Sequence, residues 1–377
     1  MASIADPQAG FQFLSELLLA GATHPVTTHS GLDPDVASNY SAKFTKATNA
    51  LAAHDVEALK TLAMTNHVIV RAFERLSPVL QDGGDQNVAD FVSSALRHEQ
   101  LRIEHALGYL ERICVALEQN GCPVTVIKSL DHWPDLGSDL DLYTDADAAK
   151  VVRAMRSQFG AHLAERSWGD RLANKWNFVV PGLPEMIEVH VGRLGQTGEQ
   201  TAFTRSLLTR TRLVTVGGHN FRVLAPEDRI IISTLQRMYR HFYIRLCDVI
   251  DNASLLDSYE VDFDKLHTTG EASGLWEGIA TYLVIISEYV ETCRGYGVPL
   301  PSLVTKSAKF GATPVRFRKD FLRVPILPHS LNLYAGELRT LLLRGQLRNT
   351  LRLSLLPGLA TAAALEMKIT GSDKGIW

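Results

Sequence analysis

Gly137-Ser138-Asp139-Leu140-Asp141-Leu142 is the stretch on which the reading of this chain turns. Side chains alternate across a strand, so Asp139 and Asp141 share one face while Leu140 and Leu142 share the other. The leucines suit a core. The two carboxylates repel each other unless a cation sits between them, and a divalent ion with oxygen ligands is the usual partner. Taken alone, the segment also reads as an exposed acidic strand end. A calcium-binding loop of the EF-hand kind starting at Asp139 is excluded, because its sixth position is Thr144 instead of glycine and its twelfth is Lys150 instead of glutamate.

Farther along, Met186-Ile187-Glu188-Val189-His190 repeats the alternation, with Glu188 and His190 on one face. If that strand neighbours the first, Glu188 becomes a third carboxylate for the same metal cluster. His190 lies beside it, with a structural role as an equal alternative.

Around these two segments the texture is that of alternating short strands and helices. Residues 124–127 read as a strand ending in Lys128-Ser129, and residues 145–159 as a helix with acidic residues at its start. Further strands are expected at 162–168, 176–180, 186–191 and 212–216, the last bounded by Gly217-Gly218. Before this region, from Phe11 to Asn120, apolar residues recur at three and four positions, as in helices. Residues 33–80 read as two or three amphipathic helices, Gly83-Gly84 as a break before 88–96, and 101–120 as the last helix. After Pro226-Glu227-Asp228, a helix start with proline and acids in the first turn, helices are expected through Leu256, over 271–293 and over 331–367. Residues 299–328 look like an irregular connection. The expected fold class is α+β, with a small mixed-sheet core at 101–225 between helical regions at 1–100 and 226–377.

With 377 residues, two or three substructures sharing packed interfaces are expected. The apolar share of 46% and charged share of 21% fit an ordinary globular protein. A formal charge of −3 argues against a bulk nucleic-acid partner. Cys114, Cys122, Cys247 and Cys293 form no CxxC pair, so neither a zinc knuckle nor a disulfide framework is suggested, and buried thiols in a reducing cytoplasm are expected. No Lys or Arg precedes the first apolar run, which Glu16 interrupts, and residues 351–367 contain Arg352, Pro357 and Glu366. Neither a secretory signal nor a membrane span is therefore expected, and the location read from the sequence is cytoplasmic.

Four motifs together, Ile127-Lys128-Ser129, Asp139-Leu140-Asp141-Leu142, Glu188-Val189-His190 and Leu224-Ala225-Pro226-Glu227-Asp228, carry a family likeness. Over residues 101–256 the chain resembles the nucleotidyltransferase superfamily that includes DNA polymerase beta and the small antibiotic-modifying nucleotidyltransferases. Within it the chain is most similar to a bacterial group generally labelled uncharacterised nucleotidyltransferases. Two departures stand out: Ser129 occupies a place where glycine is usual, and residues 134–138 lack an arginine often found there. The resemblance implies a polymerase-beta-like fold and a metal-dependent transfer of a nucleoside monophosphate. The donor would be a nucleoside triphosphate, and the acceptor a hydroxyl or phosphate on an unidentified small molecule or protein. Asp139, Asp141 and Glu188 would be the catalytic and metal-binding carboxylates, holding two magnesium ions or manganese in their place. Lys128, Ser129, Ser138, Arg240 and His241 would bind the triphosphate. Arg237, Arg240, His241 and Arg245 recur at three- and four-residue spacings and would form a basic stripe on one helix, with a solvated face paired to Asp248 as the alternative. Arg166, Arg171 and Lys175 are secondary candidates beside an expected hairpin. Two other readings stay open. Asp-Leu-Asp also satisfies the metal-binding motif of nucleotide-sugar glycosyltransferases, although those enzymes normally place several parallel strands before it. A catalytically silent nucleotide-binding regulator is the other, against which the complete carboxylate set weighs.

Overall fold

The structure, a computed structural model, describes residues 4, 6–20 and 44–370. The part of the expected 33–80 helical stretch that precedes residue 44 lies outside the described residues. Helices α1 (Pro7–Leu19), α2 (Ala53–Thr65), α3 (Ile69–Gly83) and α4 (Gln86–Gln119) come before the sheet. The segments expected as separate helices at 88–96 and 101–120 are one helix. Asp85 caps it by accepting from the backbone N–H of Asn87 and Val88, and Gly121, at φ +70°, stops it. The polar run Arg97-His98-Glu99-Gln100 contains only helix-tolerant residues, and its Glu99 turns inward to pair with Arg102 one turn on.

The sheet holds seven strands: β1 (Val124–Val126), β2 (Asp139–Thr144), β3 (His162–Leu163), β4 (Lys175–Val179), β5 (Met186–Val191), β6 (Thr211–Val216) and β7 (His219–Leu224), in the spatial order β3-β4-β5-β2-β1-β7-β6. It is mixed: β2 runs parallel to β5 and β1 to β7, while the other neighbours are antiparallel. Helix α5 (Ala148–Phe159) follows β2, capped by Asp147. The strand expected over 162–168 stops at Leu163, because Ser167 and Asp170 form a reciprocal capping box that starts α6 (Trp168–Ala173). Strand β7 was absent from the sequence reading. Gly217 and Gly218, both at positive φ, make the two-residue turn that folds it onto β6.

Beyond a short α7 (Thr201–Thr204), helix α8 (Pro226–Thr234) passes into a π-helical segment at Leu235–His241, and Phe242, at φ +53°, ends it. The single helix expected through Leu256 is thus broken by β8 (Tyr243–Ile244) before α9 (Leu246–Asp257) begins. The helix expected at 271–293 is α10 (Phe263–Ser273) and α11 (Trp276–Arg294), parted by Gly274 at φ +73°. The connection read as irregular carries α12 (Ser302–Ser307) and the hairpin β9 (Arg316–Arg318) and β10 (Phe321–Arg323), which pairs with β8 in a second, three-stranded sheet. The last stretch is three helices, α13 (Leu331–Leu343), α14 (Leu347–Ser354) and α15 (Leu356–Thr370). The architecture is α+β, a mixed sheet in mid-chain flanked by helices on both sides in sequence. One continuous apolar cluster runs from Phe11 and Leu14 of α1 through Leu140, Leu142, Ile187 and Val189 under the sheet to Leu283 and Ile286 of α11. Among the described residues no helix is long and apolar enough to cross a membrane.

Candidate active site

Strands β2 and β5 are hydrogen-bonded neighbours in a register that sets Asp141 directly opposite Glu188. Leu140, Leu142, Ile187 and Val189, fully buried on the other face, fix that register, since a one-residue slip would drive carboxylates into the core. Asp139, Asp141 and Glu188 line one open cleft of about 790 Å³, and so do Lys128, Ser129, Ser138, Arg240 and His241. These eight residues, named from four separate stretches of the sequence, therefore meet in one place.

Between the carboxylates lies a cation supplied by the chain itself. The Lys128 ammonium pairs with Asp141 and stands 3.6 Å from Glu188 Oε1. Lys175, a secondary candidate in the sequence, reaches Glu188 Oε2 and Asp170, each at 2.9 Å. His190 Nε2 lies 2.8 Å from Glu188 Oε1 and 3.6 Å from Asp141. Burial alone would raise the Glu188 carboxyl, but Lys128, His190 and Lys175 together hold it well below the usual carboxylate range. Asp139, at the mouth of the cleft, is raised instead, by burial and by repulsion from Asp141 and Glu188.

Lys128 reaches this position through an unusual backbone. At φ +62° and ψ −57° it is the centre of a γ-turn, closed by the Ser129 N–H donating to the Ile127 carbonyl at 2.6 Å. Such a turn is strained for a residue with a side chain, at a cost of about 1–3 kcal/mol. The left-handed conformation thus falls on Lys128, and Ser129 occupies the glycine-associated place without backbone penalty. The Ser129 hydroxyl, at the cleft wall, braces the strand: it donates to the Asp139 carbonyl at 3.2 Å and accepts from the Asp141 N–H at 2.8 Å. Gly137 gives Ser138 and Asp139 their entry to the cleft, because a Cβ there would come within 3.0 Å of the His67 ring.

The opposite wall comes from the π-helical segment and the residues after it. The expected basic stripe is split. Arg237 turns inward, is buried and pairs with Asp248 at 2.7 Å, while Arg245 lies beyond the helix and beside Tyr243. Arg240 lines the cleft and, among the described residues, makes no hydrogen bond or ion pair. His241 packs on Tyr243, and burial together with Arg240, Arg237 and Arg245 pushes its imidazole well below the ordinary histidine value, so it is neutral. Arg166 and Arg171 lie away from the cleft. Arg166 stacks on Trp176, and Arg171 donates to the Arg166 carbonyl.

Arg102, on α4, steadies both acidic strands from behind. It donates to the Leu136 and Gly137 carbonyls just before β2 and pairs with Glu185 just before β5. Sequence reasoning missed Arg102, Lys175 in its central role, and His67, whose isolated positions give no motif. The donor set fits a hard divalent cation: carboxylates from neighbouring strands converge, Asp141, Glu188 and His190 offer ligand atoms within 4.8 Å of one another, and Lys128 already places positive charge there.

Residues 52–290 match the family described as uncharacterised nucleotidyltransferase. No curated protein matches the chain. Among solved structures, an antigenic nucleotidyltransferase-like protein from Paracoccidioides brasiliensis is similar at 13% identity and a TM-score of 0.34, covering 54% of this chain and 97% of its own.

Proposed function

The chain belongs to the uncharacterised nucleotidyltransferase family, and on that premise we propose that it transfers a nucleoside monophosphate from a nucleoside triphosphate to a hydroxyl or phosphate on a small molecule or protein. The observation that carries this reading is the side-by-side setting of Asp141 and Glu188, with Asp139 at the mouth, across a cleft from the unpartnered Arg240. Asp139, Asp141 and Glu188 would hold magnesium, which when bound neutralises triphosphate charge and favours the attacking and leaving oxygens. Arg240 and Arg245 face the same cleft and would bind the β- and γ-phosphates as fixed cations, needing no reorganisation when charge develops on the leaving pyrophosphate. Neutral His241 would add a hydrogen bond to that group without further charge. Lys128 would move from Asp141 toward the triphosphate as the cation is exchanged, which gives its strained turn a use. Four unpaired cysteines support a reducing, cytoplasmic setting.

Incubation with each α-labelled triphosphate and magnesium, with Asp139→Ala/Asp141→Ala as control, tests the proposal. Pyrophosphate release should fall by at least about 100-fold in the double variant, and release that survives it would remove these residues from the assignment. One observation favours a second reading, a silent nucleotide-binding regulator: Lys128, Lys175 and His190 already offset the carboxylates, so their repulsion does not itself demand a metal. Triphosphate binding without turnover across a broad acceptor panel would favour the regulator. The nucleotide-sugar reading has less support, because β1 is the one strand that precedes the acidic pair among the described residues.

A further inference from the structure

Next to the carboxylate cleft, three elements far apart in sequence bring His67, His132 and Cys247 together, with ligand atoms from all three within 4.8 Å of one another. His67 precedes α3, His132 lies in the 3-10 turn after β1, and Cys247 is on the first turn of α9. His132 Nδ1 is 2.5 Å from Asp251 Oδ2, which leaves Nε2 directed at the Cys247 sulfur at 3.9 Å. Asp251 is in turn held by Arg71 at 2.6 Å, whose Nε pairs with Asp135 at 2.8 Å. A carboxylate behind the far nitrogen of a histidine, itself anchored, is the arrangement that orients metal-binding imidazoles. His67 Nδ1 is buried and has no hydrogen-bond partner among the described residues. A buried imidazole nitrogen left unpaired costs free energy that coordination would recover.

We propose that His67, His132 and Cys247 form a second, nitrogen–sulfur metal site for a zinc-class cation, distinct from the carboxylate site. Two imidazoles and a thiolate suit a borderline-soft ion, whereas Asp139, Asp141 and Glu188 suit a hard one. Tetrahedral zinc places such donors about 3.3–3.6 Å apart, as its bond lengths require, so the cluster would contract on binding, with His132 and Cys247 already at 3.9 Å. Binding forms a metal–sulfur bond as the Cys247 thiol gives its proton to solvent. Of the nearby cations, Arg237 is neutralised by Asp248 and Arg71 by Asp135 and Asp251, while Arg245 opposes the ion from the cleft side and the Cys247 thiolate offsets it. The ion would clasp the N-terminal helices, the turn after β1 and α9 behind the catalytic cleft, whose lining includes both His67 and His132.

The test uses the full chain, stripped with chelator and titrated with cobalt(II) and then zinc(II). One equivalent of cobalt should give a thiolate-to-metal charge-transfer band that zinc abolishes, together with a rise in the thermal midpoint. Cys247→Ser should remove the band, and Asp251→Asn should weaken binding by about 10- to 100-fold. Asp139→Asn/Asp141→Asn should keep it, which separates this site from the carboxylates and makes the outcome independent of any transferase activity. Should Cys247→Ser fail to fold, His67→Gln in the folded chain must lower cobalt affinity at least tenfold. Cobalt binding without a thiolate band, or affinity unchanged in a folded Cys247→Ser or His67→Gln variant, would overturn the proposal.

Discussion

Replacing Lys128 with methionine removes the ammonium from between Asp141 and Glu188 while keeping a long side chain at the strained turn. Two near-buried carboxylates are then left facing each other, a loss of about 3–5 kcal/mol when a buried pair is broken. Magnesium should restore much of that stability, so the thermal midpoint of Lys128→Met is expected to become magnesium-dependent where the parent's is nearly flat. Glu188 sets the pH side of the same experiment. Its folded carboxyl is held well below the usual range, so its contribution is present above that range and lost as pH falls through the depressed value. In Lys128→Met the folded carboxyl is depressed less, so the loss should be smaller and complete at higher pH, read from urea midpoints between neutral and acid pH. Asp139, Asp141 and Glu188 were legible in the sequence because strand alternation fixes which way a side chain points. Lys128 as their counterion was not, because a γ-turn at a lysine has no sequence signature.

At the scale of elements, the π-helical segment Leu235–His241 decides which arginine is paired inside the fold and which stays free in the cleft. With one more residue in its hydrogen-bonded ring than an α-helix, it sends Arg237 inward to Asp248 and leaves Arg240 facing the carboxylates. The three- and four-residue spacing that suggested a single basic face assumed a regular helix, and that assumption failed here. The two arginines should accordingly respond in opposite ways. Arg237→Ala is expected to cost about 3–5 kcal/mol in unfolding free energy, because Asp248 would be left buried and unpaired. Arg240→Ala should change stability by no more than about 0.5 kcal/mol and weaken triphosphate binding by about 10- to 100-fold, the worth of a charged hydrogen bond. Chemical denaturation and equilibrium binding to the same two variants check both halves. Strands β2 and β5 were readable from their alternating leucines and carboxylates. The hairpin β9–β10 was hidden by the prolines and basic residues around it, since Leu322 is its one buried side chain and leaves little periodicity.

Across the whole molecule, the C-terminal helices are joined to the core through a pair of buried acids. Glu337 on α13 accepts from Gln200 Nε2 at 2.6 Å, near Glu199, which itself accepts from the Thr197 N–H at 2.9 Å. Burial and the Glu199 charge hold the Glu337 carboxyl well above its ordinary value. Its stabilising contribution is therefore present below the unfolded carboxylate range and lost as pH rises through the raised value. Glu337→Gln keeps the Gln200 contact without the charge, so its urea midpoint should exceed the parent's at pH 8 and approach it near pH 4. Sequence patterning gave the sheet's position between helical regions, but not this junction, which joins residues far apart in the chain. Arg102 has a comparable reach. Anchored on a 34-residue helix, it touches the backbone just ahead of β2 and the acid just ahead of β5. It acts like a gauge block at the entry of the two strands, backing up the register that their buried leucines, isoleucine and valine fix and with it the gap between their carboxylates. Magnesium tolerates little departure from its short, octahedral bonds, whereas calcium accepts longer and more irregular ones. On the proposed metal-binding reading, ion-size preference would be calibrated in part from a helix outside the cleft, by a residue that never meets the ion.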